Sequence, residues 1–332
     1  MAVEVKKVAR RTLLKAAGAA AATFALPGLR MASAQGEKPV SLIIGFPPGS
    51  GIDSLARMIA EKMRVSLNRP VIVENRVGAA GRLAGEYVKG QPGDGSALLV
   101  APMALMTIFP HTYRSLRYDP VKDFAPVTHL GAFGLALAVR TDTPVKTLIE
   151  YVDLVRKDSS ANTYGSTGVG TPSNFFMVMF ERTAGIKFLH VPFKGSADVL
   201  NNILGGHIGA AILSVSDIAP QTETGKLRAI AVSAATREPT LPNVPTFKEQ
   251  GYDMEGSFWY GIYAPVATPK DVIGRLNTAI SDAVRSPDIT AWATKAGINV
   301  TGGGPDMLAA AQKTDFERWG PVIKASGFVA DD

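Results

Sequence analysis

The 332-residue chain contains no cysteine, which removes disulfides, thiolate metal sites and cysteine nucleophiles together. Histidine is scarce. His111, His129, His190 and His207 stand far apart, with no H-E-x-x-H motif and no His cluster. Each reads as a surface or hydrogen-bonded imidazole, and no metal or other cofactor is expected. The phosphate cradle G-x-x-x-x-G-K-[ST] is absent, so nucleotide hydrolysis lacks its binding loop. Beyond the N-terminus no apolar run approaches the ~20 residues that span a bilayer. Surplus positive charge is also missing from most of the chain. Of the net +6, residues 1–34 hold +5, through six basic residues against Glu4, and the remaining residues sum to +1. A nearly neutral body offers no footprint for a phosphate backbone, so no nucleic acid is expected as a partner.

What remains is the composition of an ordinary α/β protein: 46% hydrophobic, 19% charged, with 33 Gly and 22 Pro. The length suits about two domains. The N-terminus runs from a basic stretch, Lys6 to Lys15, through the Ala-rich segment Ala16 to Leu26, to Ala32-Ser33-Ala34. These are the three regions of an export signal, and its apolar part is too short to span a membrane. Arg10-Arg11 followed by Leu13-Leu14-Lys15 resembles a twin-arginine signal. Residues 1–34 are therefore expected to be a cleaved signal and the mature protein to act in the periplasm.

Val40 to Ile44 is a short apolar run ending in Gly45-Phe46-Pro47-Pro48-Gly49-Ser50-Gly51. Ile52, Leu55, Ala56, Ile59, Met63 and Leu67 then recur with helical period. The unit is strand, glycine loop, helix. It recurs with strands at 70–74 and 97–101 and a helix at 82–89, and restarts at 162–166 with the loop Thr167-Gly168-Val169-Gly170-Thr171 and a helix from Pro172. Strands alternating with helices predict mostly parallel sheets covered on both faces. Two extended apolar runs, near 133–139 and 257–263, read as strands crossing between two lobes. The expected division is 35–138 with 258–332 as lobe one and 139–257 as lobe two.

Each lobe places a glycine-rich loop at the carboxyl end of a strand, where open α/β sheets bind ligands. Free N–H groups at a helix start suit a carboxylate or phosphate. Singly, each loop is explained by its turn, and Gly168-Val169-Gly170 lacks the third glycine of a dinucleotide fingerprint because Ser173 stands there. Ser166 misses the G-x-S-x-G elbow by one residue. The nearest His in sequence, His190, sits mid-strand with no acid beside it, which weighs against a hydrolase.

Five segments in order, Phe46 to Asp53, Val73-Glu74-Asn75-Arg76, Tyr164 to Gly170, Pro192-Phe193-Lys194-Gly195 and Gly225 to Ala229, together with Leu241 to Thr246, resemble the Bug-type solute-binding receptors of tripartite tricarboxylate transporters. The likeness extends from about 38 to 328. It implies an α/β, two-lobed periplasmic binding protein, type II-like, each lobe a mostly parallel sheet flanked by helices with two crossover strands as hinge. It further implies a monomer that closes on a small organic carboxylate and presents it to a membrane permease with a large and a small subunit. Carried over by motif, the ligand would touch Pro48, Gly49, Ser50 and Asp53 in lobe one and Ser166, Thr167, Gly170 and Ser173 in lobe two, with Ala80 and Lys194 in neighbouring loops. Ser50 stands where the family's loop commonly has a second glycine, and serine disfavours positive φ.

Transport receptor, ligand sensor and periplasmic enzyme remain distinct readings at this level, the last lowered by the missing catalytic constellation. A buried amino group would need an anionic partner. Only Asp53 and Asp217 lie in suitable segments, so a carboxylate without an α-amino group is expected.

Overall fold

The computed structural model describes residues 38–330; the expected export signal lies outside them. The alternation of strand and helix is present from the start: β1 (Val40–Ile44), α1 (Gly51–Ser66), β2 (Val71–Asn75), α2 (Arg82–Lys89) and β3 (Ala97–Pro102). A π-helical turn (Ala104–Ile108) leads into the short α3 (Phe109–Thr112). The 17-residue β4 (Phe124–Arg140) follows, then α4 (Leu148–Lys157), β5 (Thr163–Ser166), α5 (Pro172–Ala184), β6 (Leu189–Pro192), α6 (Ser196–Leu204), β7 (Ala210–Ser214), α7 (Val215–Glu223) and β8 (Leu227–Val232). The chain returns through β9 (Ser257–Pro265), α8 (Lys270–Val284), α9 (Pro287–Lys295), β10 (Asn299–Gly303) and α10 (Pro305–Ser326).

The ten strands of the described residues join in one mixed sheet, with the order β2-β1-β3-β9-β4-β7-β5-β6; β8 and β10 both pair with β4. The expectation of mostly parallel sheets is corrected. β1 pairs in parallel with β2 and β3, and β5 with β6 and β7, but every pairing made by β4 and β9 is antiparallel. The local βαβ units set only their own direction; β4 and β9, which lie between the two parallel groups, run against their neighbours.

β4 holds the fold together. Its first part, Phe124–Gly134, pairs with β9 and β10, while Leu135–Arg140 pairs with β7 and β8. Only β4 pairs with both groups of strands, because β9 stays alongside its first part and ends its pairing at Ser257 opposite Gly134. The chain around Ser233 and Gly256 passes beside the point where β4 changes partners. Ser233, fully buried, bonds its backbone N–H to the Leu135 carbonyl and accepts the Leu135 N–H on its Oγ, each at 2.8 Å. The same hydroxyl donates to the Gly256 carbonyl at 2.6 Å.

Side-chain alternation along the strands builds three cores. Ile43, Leu99 and Ala101 join Leu135, Leu137 and Val139 in a continuous core on one face, covered by α2, α4, α5 and α10. On the other face Leu42, Ile44, Leu98 and Val100 pack against α1, α8 and α9, while Ala136 and Ala138 pack against α6 and α7. The architecture is α/β, one mixed sheet flanked by helices on both faces.

Candidate binding site

The loop after β1 is fastened by Asp53, 1% exposed in the first turn of α1. Its carboxylate accepts the Gly49 N–H at 2.8 Å, Nδ2 of Asn75 at 2.8 Å, and Nε and Nη2 of Arg57 at 2.9 and 3.0 Å. Burial pushes this carboxyl up, but the hydrogen bonds from Arg57, Asn75 and Gly49 reverse the effect and hold it down at about 2. Gly49 supplies the positive φ of the turn, +82°, leaving Ser50 extended at φ −66°. The serine in place of the family's second glycine is thus unstrained. Its Oγ is buried without a partner, and α1 starts with no side-chain cap, so the amides of Gly51, Ile52 and Asp53 have no intrahelical acceptor.

The loop after β2 packs on this one. Gly78, Ala79, Ala80 and Gly81 all have positive φ, the alanines at 46° and 55°. An added Cβ on Gly45 would fall 2.3 Å from the Gly81 Cα, so only a glycine lets the two backbones come this close. Ala80 is exposed at the loop tip.

The loop after β5 repeats the device of the first with different chemistry. Gly170, φ +74°, donates its N–H to Oδ1 of Asn174, four residues on in the first turn of α5, at 3.0 Å. Thr171 caps α5, accepting the Asn174 N–H and meeting the Ser173 hydroxyl at 3.1 Å. Ser166 is wholly buried; its Oγ lies 2.7 Å from Nε2 of His190 on β6 and donates to the Gly168 carbonyl at 3.1 Å. Thr167 is half-buried, and Lys194 is exposed beyond β6, where the Phe193 N–H bonds the Ser166 carbonyl. The structure thus gathers Pro48, Gly49, Ser50, Asp53 and Ala80 at one pair of loops, and Ser166, Thr167, Gly170, Ser173 and Lys194 at another. The N–H groups of Gly49 and Gly170 are spent on Asp53 and Asn174.

Residues 55–328 match the model of a family described as the tripartite tricarboxylate transporter family receptor. The chain belongs to that family. Protein BugT of Bordetella pertussis is 27% identical over 296 residues, covering 87% of this chain and 90% of BugT. Among solved structures, R. palustris Rpa4515 with adipate matches at TM-score 0.74 and 28% identity, covering 89% of this chain and 99% of that one. MatC from Rhodopseudomonas palustris with bound malate matches at TM-score 0.70 and 28% identity, covering 86% and 98%. Membership places the receptor among exported, periplasmic solute-binding proteins rather than enzymes.

The Ser166–His190 contact is one that sequence reasoning missed, since 24 residues separate the pair and only the β5–β6 register, Tyr164 opposite His190, brings them together. It does not make a nucleophile. The group behind the imidazole is the Asn174 amide, whose Nδ2 faces His190 Nδ1 at 3.3 Å while its Oδ1 holds Gly170. An NH₂ facing Nδ1 leaves that nitrogen the lone pair and puts the ring proton on Nε2, the wrong tautomer for taking a proton from serine.

The end of the described chain was also missed. Phe328 lies against Gly170, where a Cβ would fall 2.5 Å from its ring, and packs edge-on to Phe175 at 5.7 Å. Two residues later Ala330 donates to the Thr112 carbonyl at 2.9 Å, next to Tyr113, over whose ring the Arg82 guanidinium sits at 3.7 Å. The receptor's second loop is thereby linked to the start of α2.

An open groove of about 700 Å³ runs along Lys89, Arg114, Leu116, Asp119 and Lys122, with no residue of either glycine loop in its lining. Lys122 pairs with Asp119 at 3.1 Å, Lys89 with Asp123 at 3.7 Å and Arg117 with Glu86 at 3.9 Å. An open groove whose charges stand in solvent is a poorer anion site than helix starts with uncommitted donors.

Proposed function

We propose that the receptor captures a small organic carboxylate between the loop after β1 and the loop after β5, and presents it to a tripartite tricarboxylate-type permease with a large and a small subunit. The observation that carries this is the pair of matched loops, each a positive-φ glycine clamped to the first turn of the following helix. The relatives solved with adipate and malate support the ligand class. On this reading Ser50 Oγ and the first amides of α1 meet one end of the anion. Thr167, Ser173 and Lys194 meet the other.

The two lobes are residues 35–138 with 258–332, and 139–257. They bend about β4 within 133–139, where its pairing passes from β9 to β7 and β8, and about the chain near Gly256 and Ser257. The signal is cleaved after Ala34 and the mature receptor works as a monomer. The ligand lacks an α-amino group: Asp53 already accepts four hydrogen bonds, and Asp217 takes the hydroxyls of Ser196 and Ser214 at 2.7 and 2.6 Å.

A thermal-shift panel of adipate, malate, succinate, glutamate and aspartate tests the reading. The dicarboxylic acids should stabilise, by ~2.7 kcal/mol at a hundred times Kd, and small-angle scattering should show a smaller radius with the bound acid. Stabilisation by the amino acids alone would overturn the ligand assignment.

A further inference from the structure

His190 is a half-buried imidazole for which the binding role has so far found no use. It stacks on Tyr164, centroids 4.8 Å apart, and it is the one group that touches both ends of the second loop's support: Nε2 at Ser166 and Nδ1 at Asn174. The hydrogen bonds form a directional chain. Nε2–H donates to Ser166 Oγ, Ser166 donates to the Gly168 carbonyl, and Nδ1 accepts from Asn174 Nδ2. Asn174 Nδ2 also donates to the Tyr164 hydroxyl at 2.9 Å, and its Oδ1 takes the Gly170 N–H. Each polar atom of the Asn174 amide therefore has one permitted orientation, and that orientation requires the lone pair on Nδ1.

We propose that neutral His190, protonated on Nε2, is the positioning residue of the second binding loop, fixing the Asn174 amide so that it clamps Gly170, and holding Ser166 through its own Nε2–H, in the shape a carboxylate meets. The inference rests on the proposed function only for its ligand arm. A proton on Nδ1 would point at the Asn174 NH₂. The amide would have to rotate to offer its oxygen, and Gly170 would lose its acceptor. The groups around the ring leave this proton without a counter-charge. Tyr164 on β5 is pushed up by burial and stays neutral, and Glu181 on α5 is taken by the Phe188 N–H at 2.9 Å with Lys187 3.9 Å away. Lys194, past the end of β6, is exposed, and burial alone holds His190 below its ordinary value.

The test uses the full mature receptor, ¹⁵N-labelled. Nitrogen shifts should show His190 protonated on Nε2 at neutral pH, and the Gly170 amide should be protected from exchange. His190→Phe keeps the ring and its stack on Tyr164 but removes both nitrogens; the Gly170 protection factor should fall at least tenfold and the Kd for adipate should rise about tenfold. His190→Gln, which can return an N–H to Ser166, should recover part of both losses. Acidification through the His190 titration should lower Gly170 protection in the wild type and not in His190→Phe. An Nδ1–H tautomer, or Gly170 protection unchanged in His190→Phe and across the titration, would overturn the inference. The tautomer and the wild-type titration decide even where His190→Phe does not fold. Failure of the wild type to bind any carboxylate, with Gly170 behaving as stated, would sink the functional reading and leave this one standing.

Discussion

The amide of Gly49 donates to the buried carboxylate of Asp53 at 2.8 Å, so the side chain that opens helix α1 also closes the loop before it. Asp53→Ala strands that amide and takes one of two acceptors from Asn75 Nδ2, which keeps the Phe46 carbonyl at 3.0 Å. The expected loss is about 2–3 kcal/mol, the scale of hydrogen bonds to a charged acceptor. The Arg57 contribution is small, because the guanidinium is half exposed. Urea denaturation of the variant measures it. The Asp53 carboxyl is held at about 2, below its ordinary 3.8, so its stabilisation is complete above about pH 4 and is lost as pH falls toward 2. The variant should lack that part of the acid dependence.

Ala80 stands in the left-handed region at φ 55°, ψ 29°. That conformation costs an L-residue ~1–2 kcal/mol, whereas a glycine there adds only ~0.4–1 kcal/mol of unfolded-state entropy. Ala80→Gly should therefore stabilise the receptor by about 0.5–1 kcal/mol, seen as a rise in Tm. A fall in Tm would show that the methyl group makes contacts worth more than the strain.

Ser233→Ala removes the hydroxyl that ties Leu135 to Gly256. Both partner groups stay buried, one as an unpaired N–H and one as an unpaired carbonyl, for an expected cost of ~2–3 kcal/mol. Equilibrium denaturation with an unchanged m-value would match this; a loss under 0.5 kcal/mol would mean the two passages are held by other contacts.

Glu238, 2% exposed, has its carboxyl raised above 4.5 by burial, against the opposing hydrogen bond from Asn299 at 3.0 Å and the Gly134 amide. Its sign is opposite to that of Asp53. The stability it contributes is full below pH 4.5 and is lost as pH rises through the folded value. Glu238→Gln should flatten the decline in Tm from pH 4.5 to 7.5, and an undiminished slope would exclude Glu238 as its source.

Much of the fold was legible because it is local. The β1–loop–α1 unit carries its own punctuation in Pro47, Pro48 and Gly49, and α5 begins at the proline that suits its first position. What the sequence hid was long-range. Nothing near Asn299–Gly303 reads as a strand; β10 exists because it lies beside β4, with Thr301 bonded to His129 at 2.8 Å. Helix α10 runs through Pro321 to Ser326, because Val322 and Ile323 are buried in the main core. The glycine loops were placed correctly, but Asn174 and His190, which hold the second loop, carried no local signal of their work.

The length of β4 is fixed to the residue. Leu135, Leu137 and Val139 face one core while Ala136 and Ala138 face another, and the strand enters this stretch already in phase with β9 and β10. One residue inserted between Gly134 and Leu135 would exchange leucines for alanines on both faces at once. Insertions of two would restore the alternation but slide the whole second loop about 7 Å along the strand relative to the first. Divergence in this family can therefore vary its loops freely while this one strand works as a ruler that cannot be recut.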